Sequence, residues 1–329
     1  MKKLLLIIVS ILSLVACLQK LVVMFEVITP EPLASGAEMT FASPTPYVAG
    51  TETALANSSP TPLAANPAPL PTFVFTQAIT VKPTDFSPVL YGNKYDANTF
   101  FLLLGGVSRD SWLIPDTSVA RFAGEATYAL HTFKYAEQYF FWGKAPEPFR
   151  TCQAYLIGTD VDVNEPGMVA TLDGWNITKR DVTELSADAQ LYRKVVSDWL
   201  ITEGVPSPQI DFIQVFRTDL EGDGADEVFI NATHLDGSQR ITKAGDYSIV
   251  LMRKVQGNDA ITTFIAGDVY HSQAPEVTFP RTYSIANFID LNQDGTMEVI
   301  VGFVKWESFG AAVYQIDGQN VTKALHAEC

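Results

Sequence analysis

Histidine and cysteine, the side chains that most often carry catalytic or metal chemistry, are scarce: four and three in 329 residues. His131, His234, His271 and His326 are far apart, and a lone His234 beside a strand end reads as a surface or capping residue. The patterns G-x-S-x-G, H-E-x-x-H, C-x-x-C and the phosphate loop are all missing, and with them the chemistry each one carries. Basic residues are also in deficit, 22 against 37 acidic, for a formal net charge of −15. Such a surface repels phosphate backbones and attracts divalent cations, so a nucleic-acid partner is not expected.

What is present begins with an export signal. Lys2 and Lys3 precede an apolar run from Leu4 to Val15, a basic n-region followed by an h-region. The run ends at Leu14-Val-Ala-Cys17. This resembles the lipobox of bacterial lipoproteins, which implies that residues 1–17 form the signal segment and that Cys17 takes a diacylglyceryl group and anchors the chain to the membrane. The alternative is an uncleaved anchor, because 21–28 is apolar again. Gln19, Lys20 and Glu26 interrupt it, leaving no clean span of about twenty residues. Either route places the domain outside the cytoplasm.

Residues 18–72 shift to Pro, Ala, Thr and Ser, as in Ser43-Pro-Thr-Pro46 and Asn66-Pro-Ala-Pro-Leu-Pro71. With no apolar periodicity to bury, this stretch is expected to be a disordered, extended stalk. The folded part is divided into a β-rich domain over 73–180 and a helix plus β domain over 181–329. Cys152 and Cys329 are the two thiols left once Cys17 is assigned. In an oxidising compartment they form a candidate disulfide, the alternative being a buried free Cys152 and a frayed terminal Cys329.

Short apolar runs at 100–104, 140–142 and 155–157 read as strands, with Gly-Gly, Pro-Asp and Asp-Gly turns between such runs. Asp160-Val-Asp-Val-Asn164 alternates acid and Val and reads as an outward strand face, since no glycine stands where a cation loop would bend. A helix is expected after Ser186, with Leu191, Val195, Val196, Trp199 and Leu200 on its buried face and Gly204 and Pro206 at its end. Eight strands follow, at 210–216, 227–233, 247–255 and 261–265, then 282–289, 298–304, 311–316 and 321–325. The expected fold is mainly β (α+β). Two four-stranded antiparallel meanders, packed together or joined in one sheet, carry one amphipathic helix and are preceded by a β-rich N-terminal half.

Each meander holds an acidic stretch between its first two strands. The first is Asp219-Leu-Glu-Gly-Asp-Gly-Ala-Asp-Glu227, and seventy-one residues later the frame returns as Asp290-Leu-Asn-Gln-Asp-Gly-Thr-Met-Glu298. Alternate residues of a tight loop can aim oxygens at one centre, as a hard cation requires, and the glycine permits the bend. The bland alternative is an acidic hairpin turn. Both stretches resemble the calcium loops of FG-GAP and VCBS-type repeats, with pattern D-x-[DN]-x-D-G-x-x-[DE]. The resemblance is local, two stretches of about fifteen residues. It implies calcium held by the side chains of Asp219, Glu221, Asp223 and Glu227 with the carbonyl of Ala225. In the second loop it implies Asp290, Asn292, Asp294 and Glu298 with the carbonyl of Thr296. Glu221 departs from the pattern by one methylene. The first loop brings four carboxylates against three and is expected to bind more tightly unless Glu221 fits poorly.

The expected function is therefore a lipid-anchored envelope protein, outside the bacterial cytoplasm, displaying a non-catalytic, calcium-stabilised module for adhesion, ligand capture or envelope assembly. Its partner would be an extracellular ligand or envelope protein. The competing expectation is a secreted carboxylate hydrolase acting on glycans. That would need tryptophans such as Trp142, Trp175 or Trp306 lining one groove beside acids.

Overall fold

Runs of Val, Ile, Phe and Thr broken by Gly, Asp and Asn favour extended chain over helix, because branched and aromatic side chains pack well on a pleated surface. In the computed structural model this composition gives seventeen strands and two helices among the described residues. Those residues are 85–329 without 96–97, 110, 123, 134–138, 150–151, 153, 160–166, 187–189, 237–239, 258 and 275. Cys17, the expected stalk over 18–72, the 160–164 segment and the start of the predicted helix at 187–189 lie outside them.

The first half contains β1 (Ser87–Tyr95), β2 (Asn98–Ser108), β3 (Ser111–Leu113), α1 (Pro115–Val119) and β4 (Ala126–His131). It continues with β5 (Tyr139–Gly143), β6 (Glu147–Phe149), β7 (Ala154–Gly158) and β8 (Met168–Leu172). These strands form one antiparallel sheet in the order β5-β4-β8-β1-β2-β7-β6, with β3 on β2. The sheet curls on itself. Gly143 at the end of β5 bridges Thr159 just past β7, and Phe101 of β2 stacks on Phe141 of β5 at 4.4 Å. Leu90, Phe101, Leu103, Tyr128 and Met168 fill the inside. Their neighbours Val89, Tyr91, Leu102 and Leu104 point the other way, as the two-residue period of a strand requires.

The second half contains β9 (Thr183–Glu184), α2 (Gln190–Thr202), β10 (Phe212–Thr218), β11 (Glu227–His234), β12 (Tyr247–Gln256) and β13 (Asp259–Val269). Then come β14 (Thr282–Ile289), β15 (Glu298–Lys305), β16 (Ser308–Asp317) and β17 (Asn320–Glu328). The two meanders are there: β10 to β13 form the second sheet, with the short β9 added at its edge, and β14 to β17 form the third. They lie face to face, with Phe216, Phe229 and Val250 packed on Ile285, Phe288 and Val299. The other face of the third sheet, through Ile300, Val313 and Leu325, packs on Leu102 and Leu104 of the first. The third sheet is thus the middle layer. A strand covered on both faces loses polar–apolar alternation, and after Glu298 β15 continues Val299-Ile-Val301 with all three side chains at most 1 % exposed. Each such residue contributes roughly 1.5–3 kcal/mol by burial.

Helix α2 covers the outer face of the second sheet through Val195, Val196 and Leu200, against Ile230, Ile249 and Leu251. Leu191, expected on that face, is 57 % exposed. Tyr192 of the same turn packs on this core in its place, and Trp199 stacks on Phe264 of β13 at 5.4 Å. Residues 75–329 form one compact unit. The sheets on the two sides of residue 180 share a core, and a disulfide joins Cys152 to Cys329 with Cα atoms 4.8 Å apart.

Candidate functional site

Both acidic loops hang at the same place in their meanders. The ladder of the second sheet puts Thr218 opposite Glu227, and that of the third puts Ile289 opposite Glu298. The ninth loop residue therefore opens the second strand each time, and its carboxylate returns to the second loop residue. Leu220 N donates to Glu227 Oε2 (2.9 Å) and Leu291 N to Glu298 Oε2 (2.8 Å). The backbone repeats as well. Position four is left-handed in both (Gly222 φ 75°, Gln293 φ 65°), and so is position six (Gly224 φ 86°, Gly295 φ 94°). Side chains other than glycine avoid this region, which explains the glycine at position six.

In the first loop Asp219 caps the bend. Its carboxylate accepts from the N–H groups of Gly222 (2.6 Å), Asp223 (3.1 Å) and Gly224 (2.9 Å). Burial alone would raise its pKa, but these three donors and the Arg180 charge hold it below the ordinary aspartate value. Asp223 Oδ1 accepts from Ala225 N at 2.8 Å. Asp226 pairs with Arg217 at 3.1 Å, and Glu221 and Glu227 meet a cation from the neighbouring strand: Lys254 Nζ lies 2.7 Å from Glu221 Oε1 and 3.0 Å from Glu227 Oε1. The second contact is an ion pair off the line of a hydrogen bond, since Glu227 Oε1 has no hydrogen-bond partner by geometry.

Among the described residues no lysine or arginine forms an ion pair with the acids of the second loop. Asp290 Oδ2 accepts from Gly295 N at 3.1 Å, Asp294 Oδ1 accepts from Thr296 N at 2.8 Å, and the Asn292 amide donates to Asp294 Oδ2 at 2.8 Å. Asp290 and Glu298 are both 2 % exposed, and Asp290 Oδ1 has no hydrogen-bond partner. Burial, with Asp294 adding to it against the backbone donors, raises the Asp290 pKa. Burial also pushes Glu298 up to about 8; the Leu291 N–H works against this, and the charges of Asp294 and Asp290 add to it. Among the described residues no three His, Cys, Asp or Glu side chains converge as in a formed metal centre.

The stretch around residue 180, where the sequence suggested a boundary, braces both loops. Trp175 Nε1 donates to Leu291 O (2.8 Å), Asp290 N to Thr178 O (3.0 Å) and Thr218 Oγ1 to Asp181 O (3.0 Å). Arg180 joins the loops directly, donating through Nη1 to Leu220 O (2.9 Å) and through Nη2 to Gly295 O (2.6 Å). Met297 N donates to Leu220 O at 2.9 Å. A polar cleft of about 670 Å³ opens beside them, lined by Glu221, Lys254, Gln256, Asp294, Glu298 and Gln315 among others.

No tryptophan lines that cleft. Trp142 stands on the curled sheet, bonded to Glu125 Oε2 at 3.1 Å, and Trp306 lies under Arg240, whose Cζ is 4.4 Å from the ring centroid. His234 pairs with Asp211 at 3.3 Å. Sequence reasoning missed Lys254, Arg180 and Gln315. Lys254 was hidden because the repeat spacing of seventy-one holds for the loops but falls to sixty-one at the third strand, the first meander having the longer β11–β12 connection. No protein-family model matches the chain, and no curated protein or solved structure matches it.

Proposed function

We propose that the chain is an extracytoplasmic binding module, lipid-anchored at Cys17 and held off the membrane by residues 18–72, with a calcium ion stabilising its second acidic loop. One observation carries the calcium reading. Asp290 and Glu298 are buried carboxyl groups beside Asp294, Asp290 Oδ1 is orphaned, and no ion pair reaches them from the described residues. Leaving a buried acceptor unpaired costs about 1–3 kcal/mol, so a divalent ion has something to gain there. Asp290, Asn292, Asp294 and Glu298 fit it as an all-oxygen donor set, with the Thr296 carbonyl as a fifth donor. The ion would supply the positive charge that three neighbouring carboxylates lack. The local resemblance to FG-GAP and VCBS-type loops supports the choice of calcium. The cleft beside the loop, polar and free of tryptophan, favours capture of a polar ligand over a glycan-stacking hydrolase.

Calorimetry on the chelator-stripped chain tests this. Calcium should bind at about 0.1–1 mM, as in extracellular modules. At a hundredfold excess over Kd it should add about 2.7 kcal/mol of stability. Asp294→Ala should abolish the heat. No heat in the wild type, with a melting curve unmoved by millimolar calcium, would leave the loops as acidic turns.

A further inference from the structure

The geometry points to Lys254 as the resident cation of the first loop, so that this loop closes around an ammonium group and takes no calcium. Two departures from the calcium-loop pattern coincide there. Position three is Glu221 in place of a short Asp or Asn, and its extra methylene carries the carboxylate to within 2.7 Å of Lys254 Nζ. Position nine, Glu227, is 1 % exposed and reaches the same nitrogen at 3.0 Å. The lysine side chain is itself only 15 % exposed. The ammonium is thus held between two carboxylates, one of them fully buried. With Asp219 occupied by three backbone N–H groups, the loop's strongest donors are already satisfied.

The third sheet provides an internal comparison. Val228 pairs with Arg253 and Val299 with Tyr314, so one step along the ladders Glu227 faces Lys254 and Glu298 faces Gln315. Gln315 is uncharged, and its Oε1 accepts from Trp112 Nε1 at 2.9 Å. Two loops with the same backbone thus differ in whether the neighbouring strand supplies a positive charge. A divalent ion entering the first loop would have to expel the ammonium from two carboxylates, one fully buried. Breaking a buried pair in this way is costly. Among the described residues the second loop holds no ammonium to expel. The statement about the second loop rests on the calcium proposal above; the statement about the first does not.

Equilibrium dialysis of the full chain against radioactive calcium, at about 1 mM, separates the two. In an Asp294→Ala background, which silences the second loop, the protein should bind no ion. Adding Lys254→Gln should create one site, and adding Lys254→Arg should create none. An ion bound by Asp294→Ala alone, or none bound by a folded Asp294→Ala/Lys254→Gln double variant, overturns the inference. Should the double variant fail to fold, Gln315→Lys takes its place. A lysine set into the second loop should cut the wild-type stoichiometry from one to zero, and unchanged binding would overturn the inference. If the wild type binds nothing, the calcium proposal falls alone, and Lys254→Gln by itself must still create one site.

Discussion

Acid should destabilise this protein through one buried histidine. His131 ends β4 and is 3 % exposed, with Nε2 2.9 Å from Thr171 Oγ1. Its carbonyl accepts from the Asn287 amide at 3.0 Å, which ties the first sheet to the third. Burial, with the nearby Lys179 charge adding to it, lowers its pKa from 6.5 to about 3. Between those values the unfolded chain binds a proton that the native chain refuses, so stability falls as pH drops. One pH unit is worth about 1.4 kcal/mol, so at pH 5 the penalty is about 2 kcal/mol and at pH 4 it exceeds 3. That is a large share of a typical 5–15 kcal/mol. His131→Gln keeps a hydrogen-bonding side chain without the titration. Urea unfolding of both proteins from pH 7.5 to 4.5 isolates the histidine, because other acid-sensitive groups are common to both. The wild type should lose about 2 kcal/mol more than the variant by pH 5. Parallel stability lines for the two proteins would refute the reasoning.

Three further outcomes are expected. The disulfide closes a loop of 177 residues, for which the chain-entropy model gives about 5 kcal/mol. Cys329→Ser should lower the urea midpoint accordingly, and an unchanged midpoint would show that the bond constrains nothing. Gln293 holds the left-handed conformation that glycine holds at the same place in the first loop (φ 65° and 75°), so Gln293→Gly should gain up to about 1 kcal/mol in thermal unfolding. Cys17→Ser should abolish incorporation of radiolabelled palmitate in a bacterial host, and equal label in both proteins would defeat the lipid anchor.

The meanders were legible because alternating and β-branched runs, broken by Asp-Gly turns, report local conformation directly. All eight expected strands are found, with ends displaced by a few residues where pairing extends the hairpins, as at Asp259–Val269. The curled first sheet was not legible. Its closure depends on Gly143 meeting Thr159 and on Phe101 reaching Phe141, contacts that no local pattern reports. The acidic frames were visible as composition, but the difference between them was not. It lies across the ladder in Lys254 and Gln315, and cross-strand register becomes known only once the strands are paired. Leu191 illustrates the opposite error: it lies at the edge of the helical stripe, and Tyr192 of the same turn meets the core instead.

The middle position of the third sheet has a consequence for the repeat itself. Repeat proteins stack their units in arrays, each unit burying its face against the next, with terminal units adapted to meet water. Here the faces a third copy would need are already taken. The curled sheet seals one side through Leu102 and Leu104, and helix α2 seals the other through Val196 and Leu200. These two elements act as end caps on a stack of two. Lengthening the stack by duplicating a meander would require one cap to be lifted, exposing a face of Leu, Ile and Val. The architecture therefore counts its own repeats and stops at the second.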